Sequence, residues 1–278
     1  MTKQQQTEHN MLMDFIEHDC KVDINEKIDY PPVALSYGEK LLKSESGDKL
    51  VPIALGTYGN LSVVTAPPKT MKTFFISLLA SVYLSGSNIY GGNLKGHKGN
   101  GHLLHIDTEQ GLWHCQKVFK RPLTMDSSIN TNNYHTFGLR SIDHKMRIDF
   151  IDYYLENKID KPSLIIIDGI ADLCSDANAI VESNALVQKL MEWSAKYKCH
   201  IINVIHQNYG SQKLGTGHLG SFLEKKAETV IALEANTVNK DWVTVKCGRS
   251  RGYSFDTFSF EVNDVGLPQI VNNIYDPL

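Results

Sequence analysis

Paired cysteines are missing from this chain. Cys20, Cys115, Cys174, Cys199 and Cys247 are scattered with no C-x-x-C spacing, which excludes a disulfide framework and reads as reduced thiols inside a cell. The neighbours His18/Cys20 and Cys199/His200 do not make up a four-ligand set, so no structural metal centre is expected. Apolar runs of the roughly 18 residues that a membrane span needs are also missing, and the opening residues MTKQQQTEHN hold no apolar core of an export signal. The expectation is a cytoplasmic protein with no membrane segment. Nor is there an excess of positive charge: 28 Lys+Arg face 31 Asp+Glu, a formal net charge of −3. That balance argues against a basic coat for nucleic acid, while a local basic channel built from several subunits stays open.

What is present suits a globular α/β protein. With 278 residues, 42% hydrophobic and 21% charged, the chain can bury the core of one large domain with an appendage. Residues 1–10 are polar and read as loose, whereas 11–20 have helical spacing with Met11, Leu12, Phe15 and Ile16 on one face. So short an apolar face cannot bury itself. It either packs back on the domain or docks on a neighbouring subunit, giving an arm over 1–45 and a main domain over 46–278. Residues 41–52 read as a hairpin or a loop.

The stretch 61–80, LSVVTAPPKTMKTFFISLLA, organises the rest. An apolar strand, a break with two prolines, and Lys72-Thr73 opening an apolar helix form the layout of a phosphate-binding loop, in which backbone N–H groups surround an anion. Lys72 would reach the β- and γ-phosphates and Thr73 would hold Mg²⁺. Both glycines of G-x-x-x-x-G-K-[ST] are absent. Pro67 and Pro68 offer no donor, but Lys69, Thr70, Met71, Lys72, Thr73 and Phe74 each keep an N–H for the nucleotide. Met71 stands where glycine lets the backbone approach closely, so its side chain is expected to turn away without forcing φ positive. The same pattern also fits a strand-turn-helix with a surface lysine.

Further along, 87–101 is glycine-rich and reads as a mobile surface loop. Residues 102–106 form an apolar strand that ends in Asp107-Thr108-Glu109-Gln110, carboxylates at a sheet's carboxyl edge. Helix is expected over 111–121, polar linker over 124–133, and helix over 141–158. LIII at 164–167 is a buried parallel strand ending in Asp168, which fits either a Mg²⁺-holding carboxylate or a turn cap. A helix over 178–196 feeds a strand at 200–205, followed by His206, Gln207 and a glycine-rich loop over 209–220. A strand at 229–233 leads to an antiparallel pair, 242–247 and 255–262, with Arg249 and Arg251 in its basic tip.

Taken in order, these residues resemble a P-loop ATPase of the RecA superfamily, closest in layout to RepA-like and DnaB-type hexameric helicase cores. The resemblance covers roughly residues 50–262. It implies an α/β fold with a RecA-like, mostly parallel central sheet flanked by helices and a C-terminal antiparallel β-hairpin, with ATP and Mg²⁺ as ligands. APPKTMKT stands at the phosphate loop. HIDTEQG implies Glu109 as the base for the attacking water, LIIIDG implies Asp168 as a Mg²⁺ carboxylate beside Thr73, and VIHQN implies Gln207 as γ-phosphate sensor. GTGHLGSFLEKKAETVIAL resembles the glycine-rich loop that is followed by a helix and a strand, the loop facing a central channel for single-stranded DNA. VKCGRSRG resembles the hairpin whose K-x-R fingers enter the next subunit, implying Arg251 first and Arg249 second, with Lys246 further up the strand. The resemblance thus implies a homo-oligomer, a hexameric ring, acting on single-stranded DNA in replication of a plasmid, phage or mobile element. The alternatives are an ATP-dependent switch or loader of the same fold that does not unwind, and a nucleotide-binding scaffold without turnover.

Overall fold

A computed structural model describes residues 2–43, 47–207, 215 and 217–271. The chain divides into two units, Met1–Pro31 and Pro32–Leu278.

The first unit holds helix α1 (Lys3–Cys20). Its start corrects the loose segment expected before residue 11. The Thr2 hydroxyl accepts from the Gln5 N–H while the Gln5 amide oxygen accepts from the Thr2 N–H. This capping box satisfies two donors that a frayed end would leave to water. No residue of α1 is buried, and Met11, Leu12, Phe15 and Ile16 are 67%, 53%, 61% and 42% exposed.

The second unit begins with the antiparallel hairpin β1 (Val33–Leu42) and β2 (Lys49–Thr57). The third strand of this small sheet is β4 (Leu94–Gly96), in the order β2-β1-β4. Because β4 lies inside the segment expected to be a mobile surface loop, that expectation is corrected. Leu94 is fully buried, and a Cβ on Gly96 would stand 2.4 Å from the Val82 carbonyl oxygen. Glycine is present there for close backbone approach.

The large sheet runs through β3 (Leu61–Ala66), β5 (His102–Asp107), β6 (Tyr134–Gly138), β7 (Pro162–Asp168), β8 (His200–His206), β9 (Thr229–Ala235), β10 (Trp242–Ser250), β11 (Phe258–Val262) and β12 (Pro268–Val271). Its order is β12-β11-β10-β9-β3-β8-β7-β5-β6. Pairing is parallel from β9 through β3, β8, β7 and β5 to β6, and antiparallel from β9 to β12. The β3 and β7 sequences are mainly apolar, and all their residues but Ser163 are buried, because both faces are covered. Helices α2 (Lys72–Ser85), α3 (Leu112–Met125), α4 (His144–Asn157), α5 (Ile180–Tyr197) and α6 (Gly217–Lys226) supply the covering. One apolar cluster lies around Phe75, Leu79 and Phe260, and the other around Ile151, Leu190 and Trp193. This is the expected α/β architecture, with a C-terminal antiparallel extension longer than a single hairpin.

Several local expectations change. Helix α3 passes through buried Pro122, and the stretch expected as linker contains its last turn and a 3₁₀ turn, Thr131–Asn133, before β6. Strand β10 reaches Ser250, so Arg249 lies in a strand opposite Val230 and not in a tip. Gly217 and Gly220 belong to α6, while 209–214 and 216 of the expected loop lie outside the described residues. Among the described residues no helix is long and apolar enough to cross a membrane.

Candidate functional site

The carboxyl edge of the parallel strands gathers the candidate residues. Between β3 and α2 the chain turns through Lys69 at φ +65° and Met71 at φ +55°. Met71 therefore does adopt positive φ, contrary to expectation, and its side chain turns away from the loop to pack against the apolar cluster under α2. The Thr70 hydroxyl closes the turn by donating to the Pro67 carbonyl. Among the described residues, no backbone acceptor takes the N–H groups of residues 69–73. Left-handed residues either side of Thr70, followed by a helix N-terminus, make an anion-binding nest out of amides alone. Phe74 differs, since its N–H donates to the Met71 carbonyl at 3.0 Å and its ring lies 3.9 Å beneath the Arg121 guanidinium.

Lys72 is buried at the start of α2, and its ammonium lies 2.9 Å from Nδ1 of His206. Burial holds it below the usual lysine range, with the charges of Glu109 and Asp168 opposing. Nε2 of His206 lies 3.4 Å from Oε1 of Glu109. The hydrogen bond from His206 is the main reason the Glu109 carboxyl is held below its ordinary range, against the effect of burial.

Glu109 is aimed by the turn after β5. Buried Asp107 accepts from the N–H groups of Glu109 and Gln110 at 3.0 and 2.7 Å, and from the Gln110 side chain at 2.7 Å. Thr108 ties this turn to the end of β7, donating its N–H to the Asp168 carbonyl and its hydroxyl to the Gly169 carbonyl. Gly169 sits at φ +97°, where a Cβ would meet Thr108 Oγ1 at 2.4 Å and Glu109 Cγ at 2.7 Å. Glycine alone leaves room for the carboxylate.

Asp168 is buried at the end of β7. Burial, reinforced by Asp107 and Glu109, pushes its carboxyl up to about 7, while the Thr73 hydroxyl and Lys72 act in the other direction. One of its oxygens, Oδ2, has no hydrogen-bond partner among the described residues. A buried carboxylate with an orphan oxygen beside a threonine hydroxyl is a hard-oxygen donor set, which fits Mg²⁺ with most of its ligands left to water and phosphate.

Gln207 is buried. Its side chain donates to the Thr65 hydroxyl at 3.1 Å and its N–H to the Ala66 carbonyl, next to the phosphate loop. The basic residues near the end of β10 are not gathered with this group. Lys246 pairs with Glu234 at 2.8 Å, and Arg251 donates to the carbonyls of Lys225 and Lys226 at the end of α6. Arg249 is exposed on β10. Sequence reasoning missed three supports: His206, Asp107 and Gly169. Asp107 and Gly169 carry a signal in hindsight, as a second carboxylate at a strand end and a glycine after the buried Asp168.

Residues 48–212, more than half of the chain, match the family described as AAA domain. The crystal structure of the RadB recombinase is similar with a TM-score of 0.53 and 16% sequence identity, covering 77% of this chain and 92% of that one. That likeness carries the fold. No curated protein matches.

Proposed function

The chain belongs to the AAA domain family, and from that premise we propose that it hydrolyses ATP as one subunit of a ring-forming, hexameric motor on single-stranded DNA. The observation that carries the reading is the glycine-free loop whose amides are left to donate, with Lys72, Thr73, Asp168 and Glu109 around it.

Phosphoryl transfer to water needs positioning and charge neutralisation more than covalent help from the protein. The amides of 69–73 hold the phosphate chain, and Lys72 places its charge on the β- and γ-oxygens. Thr73 and Asp168 would hold Mg²⁺, which supplies charge neutralisation across the β- and γ-phosphates when bound. Glu109 orients a water and takes its proton as the new O–P bond forms and the bridging P–O bond breaks. Gln207, bonded to Thr65 beside the loop, reads the γ-phosphate and hands its state to the segment beyond β8. An arginine from the next subunit completes the set. Arg249 is favoured over Arg251 because Arg251 is already engaged with α6, whereas Arg249 stands exposed.

Assembly is assigned to the arm. Residues 1–31 carry three lysines against seven carboxylates and expose an apolar face. Helix α3 carries Lys117, Lys120 and Arg121 with no carboxylate, exposes Leu112 and Trp113, and borders a cleft of about 440 Å³ against β6. Opposite charge and matching apolar surface favour the arm of one copy docking on α3 of the next. Free thiols throughout suit a cytoplasmic setting.

ATP turnover with and without single-stranded DNA tests the reading. Lys72→Ala is expected to lower turnover by about 10²- to 10³-fold, and Glu109→Gln to stop it while nucleotide still binds. Mixing inactive Arg249→Ala and Lys72→Ala subunits is expected to restore part of the activity. Wild-type turnover in Lys72→Ala would remove the proposed site, and strand displacement on a fork would separate a motor from a switch.

A further inference from the structure

His206 lies between the two groups that the hydrolysis reading uses most. Its place follows from strand register. Ala66 of β3 pairs with His206, and Asp168 of β7 pairs with Val204. His206 therefore stands two residues beyond the level of Asp168 and overhangs it. From there one ring nitrogen reaches back to Lys72 at 2.9 Å and the other forward to Glu109 at 3.4 Å, joining the loop after β3 to the turn after β5 across the intervening β7.

The chemistry of the partners fixes the ring. A lysine ammonium only donates, so Nδ1 must accept from it. A neutral imidazole that accepts at Nδ1 carries its hydrogen on Nε2 and points it at the Glu109 carboxylate. An imidazolium would present an N–H to the Lys72 ammonium and lose that bond. Lys72 has three hydrogens, so giving one to His206 leaves two for phosphate oxygens in a fixed direction.

We propose that His206 is a positioning residue, a neutral Nε2–H imidazole that orients the Lys72 ammonium and the Glu109 carboxylate together, so that phosphate holding and water activation are set by one side chain. The proposal rests on the ATPase reading above, since only that reading gives Lys72 and Glu109 their tasks. It goes beyond it by giving a role to a residue that the hydrolysis reading leaves without one.

Four variants and a spectrum test it. The His206 side chain is 40% exposed, so replacing it is not expected to unfold the domain. His206→Ala should lower kcat about 10- to 100-fold, as losing an outer-shell orienting group does, with KM for ATP moving less than about threefold. His206→Gln should recover part of kcat, because its amide oxygen and nitrogen can face Lys72 and Glu109 in the same sense. Ring-nitrogen NMR of the full chain, with the signal assigned by its loss in His206→Gln, should report the neutral Nε2–H tautomer and should move in both Lys72→Ala and Glu109→Gln. An Nδ1–H tautomer, a signal unmoved by either variant, or wild-type kcat in His206→Ala overturns the proposal. A wild-type protein without turnover would defeat the hydrolysis reading instead, and the ring spectrum would still decide whether the bridge exists.

Discussion

Holding a methionine at φ +55° costs about 1–2 kcal/mol relative to the right-handed regions, a cost glycine does not meet. Met71 offsets it by laying its side chain on the cluster beneath α2, and Thr70 helps by closing the turn onto Pro67. The phosphate loop thus replaces the freedom of glycine with packing, and among the described residues no backbone acceptor takes the amides of 69–73. Two substitutions separate these contributions. Met71→Gly loses the packing and gains the backbone freedom, so affinity for a fluorescent ATP analogue is expected to stay within about threefold of wild type. Met71→Val puts a β-branched residue where positive φ is a true outlier; the loop is expected to rearrange and affinity to fall about tenfold or more, about 1.4 kcal/mol. Equal affinity in Met71→Val would mean that the left-handed geometry at 71 plays no part in holding phosphate.

Hairpin β1–β2 meets the large sheet at a contact that only glycine permits. A Cβ on Gly56 would fall 2.2 Å from Cε1 and Nε2 of His200. That ring cannot swing aside, because Nδ1 donates to the Thr57 carbonyl and Nε2 accepts from the Ser62 hydroxyl, both at 2.9 Å. Gly56→Ala is expected to destabilise the fold by about 1–3 kcal/mol, read as a drop in thermal midpoint of about 2–4 °C per kcal/mol; an unchanged midpoint would mean that the hairpin shifts freely over β8. Contacts of this kind explain what could be read in advance. Strands β3 and β7 were legible because both faces are buried and each carries an apolar run, Val63-Val64 in β3 and 164–167 in β7. Strand β6, YHTFG at the sheet edge, buries only Tyr134, and three-residue β4 is too short for any period. Lys72, Thr73, Glu109 and Asp168 were legible because each stands at the end of a strand or shortly after one in chain order. His206 was not, since its reach in two directions depends on how β3, β8, β7 and β5 pair, and pairing is a tertiary fact. The engagement of Arg251 by the end of α6 was hidden for the same reason.

Charge is distributed unevenly along the chain, and this bears on assembly. Seven carboxylates in residues 1–31 against three lysines leave the remainder slightly basic although the total is −3. The arm's apolar side chains are exposed, Phe15 at 61% and Leu12 at 53%, as are Leu112 and Trp113 on α3 at 77% and 62%. Apolar area gives such a contact most of its free energy, and opposite charge sets which surface meets which and how fast. Under the proposed assembly the site borrows an arginine from its neighbour and depends on this contact, so turnover per subunit is expected to rise with protein concentration. Reversing charge separates the two components. Lys117→Glu with Lys120→Glu is expected to lower the mass seen by light scattering toward that of a single chain and to lower turnover with it. Adding Asp14→Lys and Glu17→Lys to the same chain takes the arm from four net negative charges to none, which removes its repulsion from the new glutamates with the apolar residues untouched, and should bring back mass and turnover; the loss caused by the first pair alone should be smaller at high salt, where charges are screened beyond about 8 Å. If the first pair leaves the mass unchanged, α3 is not the arm's seat. If the second pair fails to restore what the first removed, the lysines of α3 answer to some other partner.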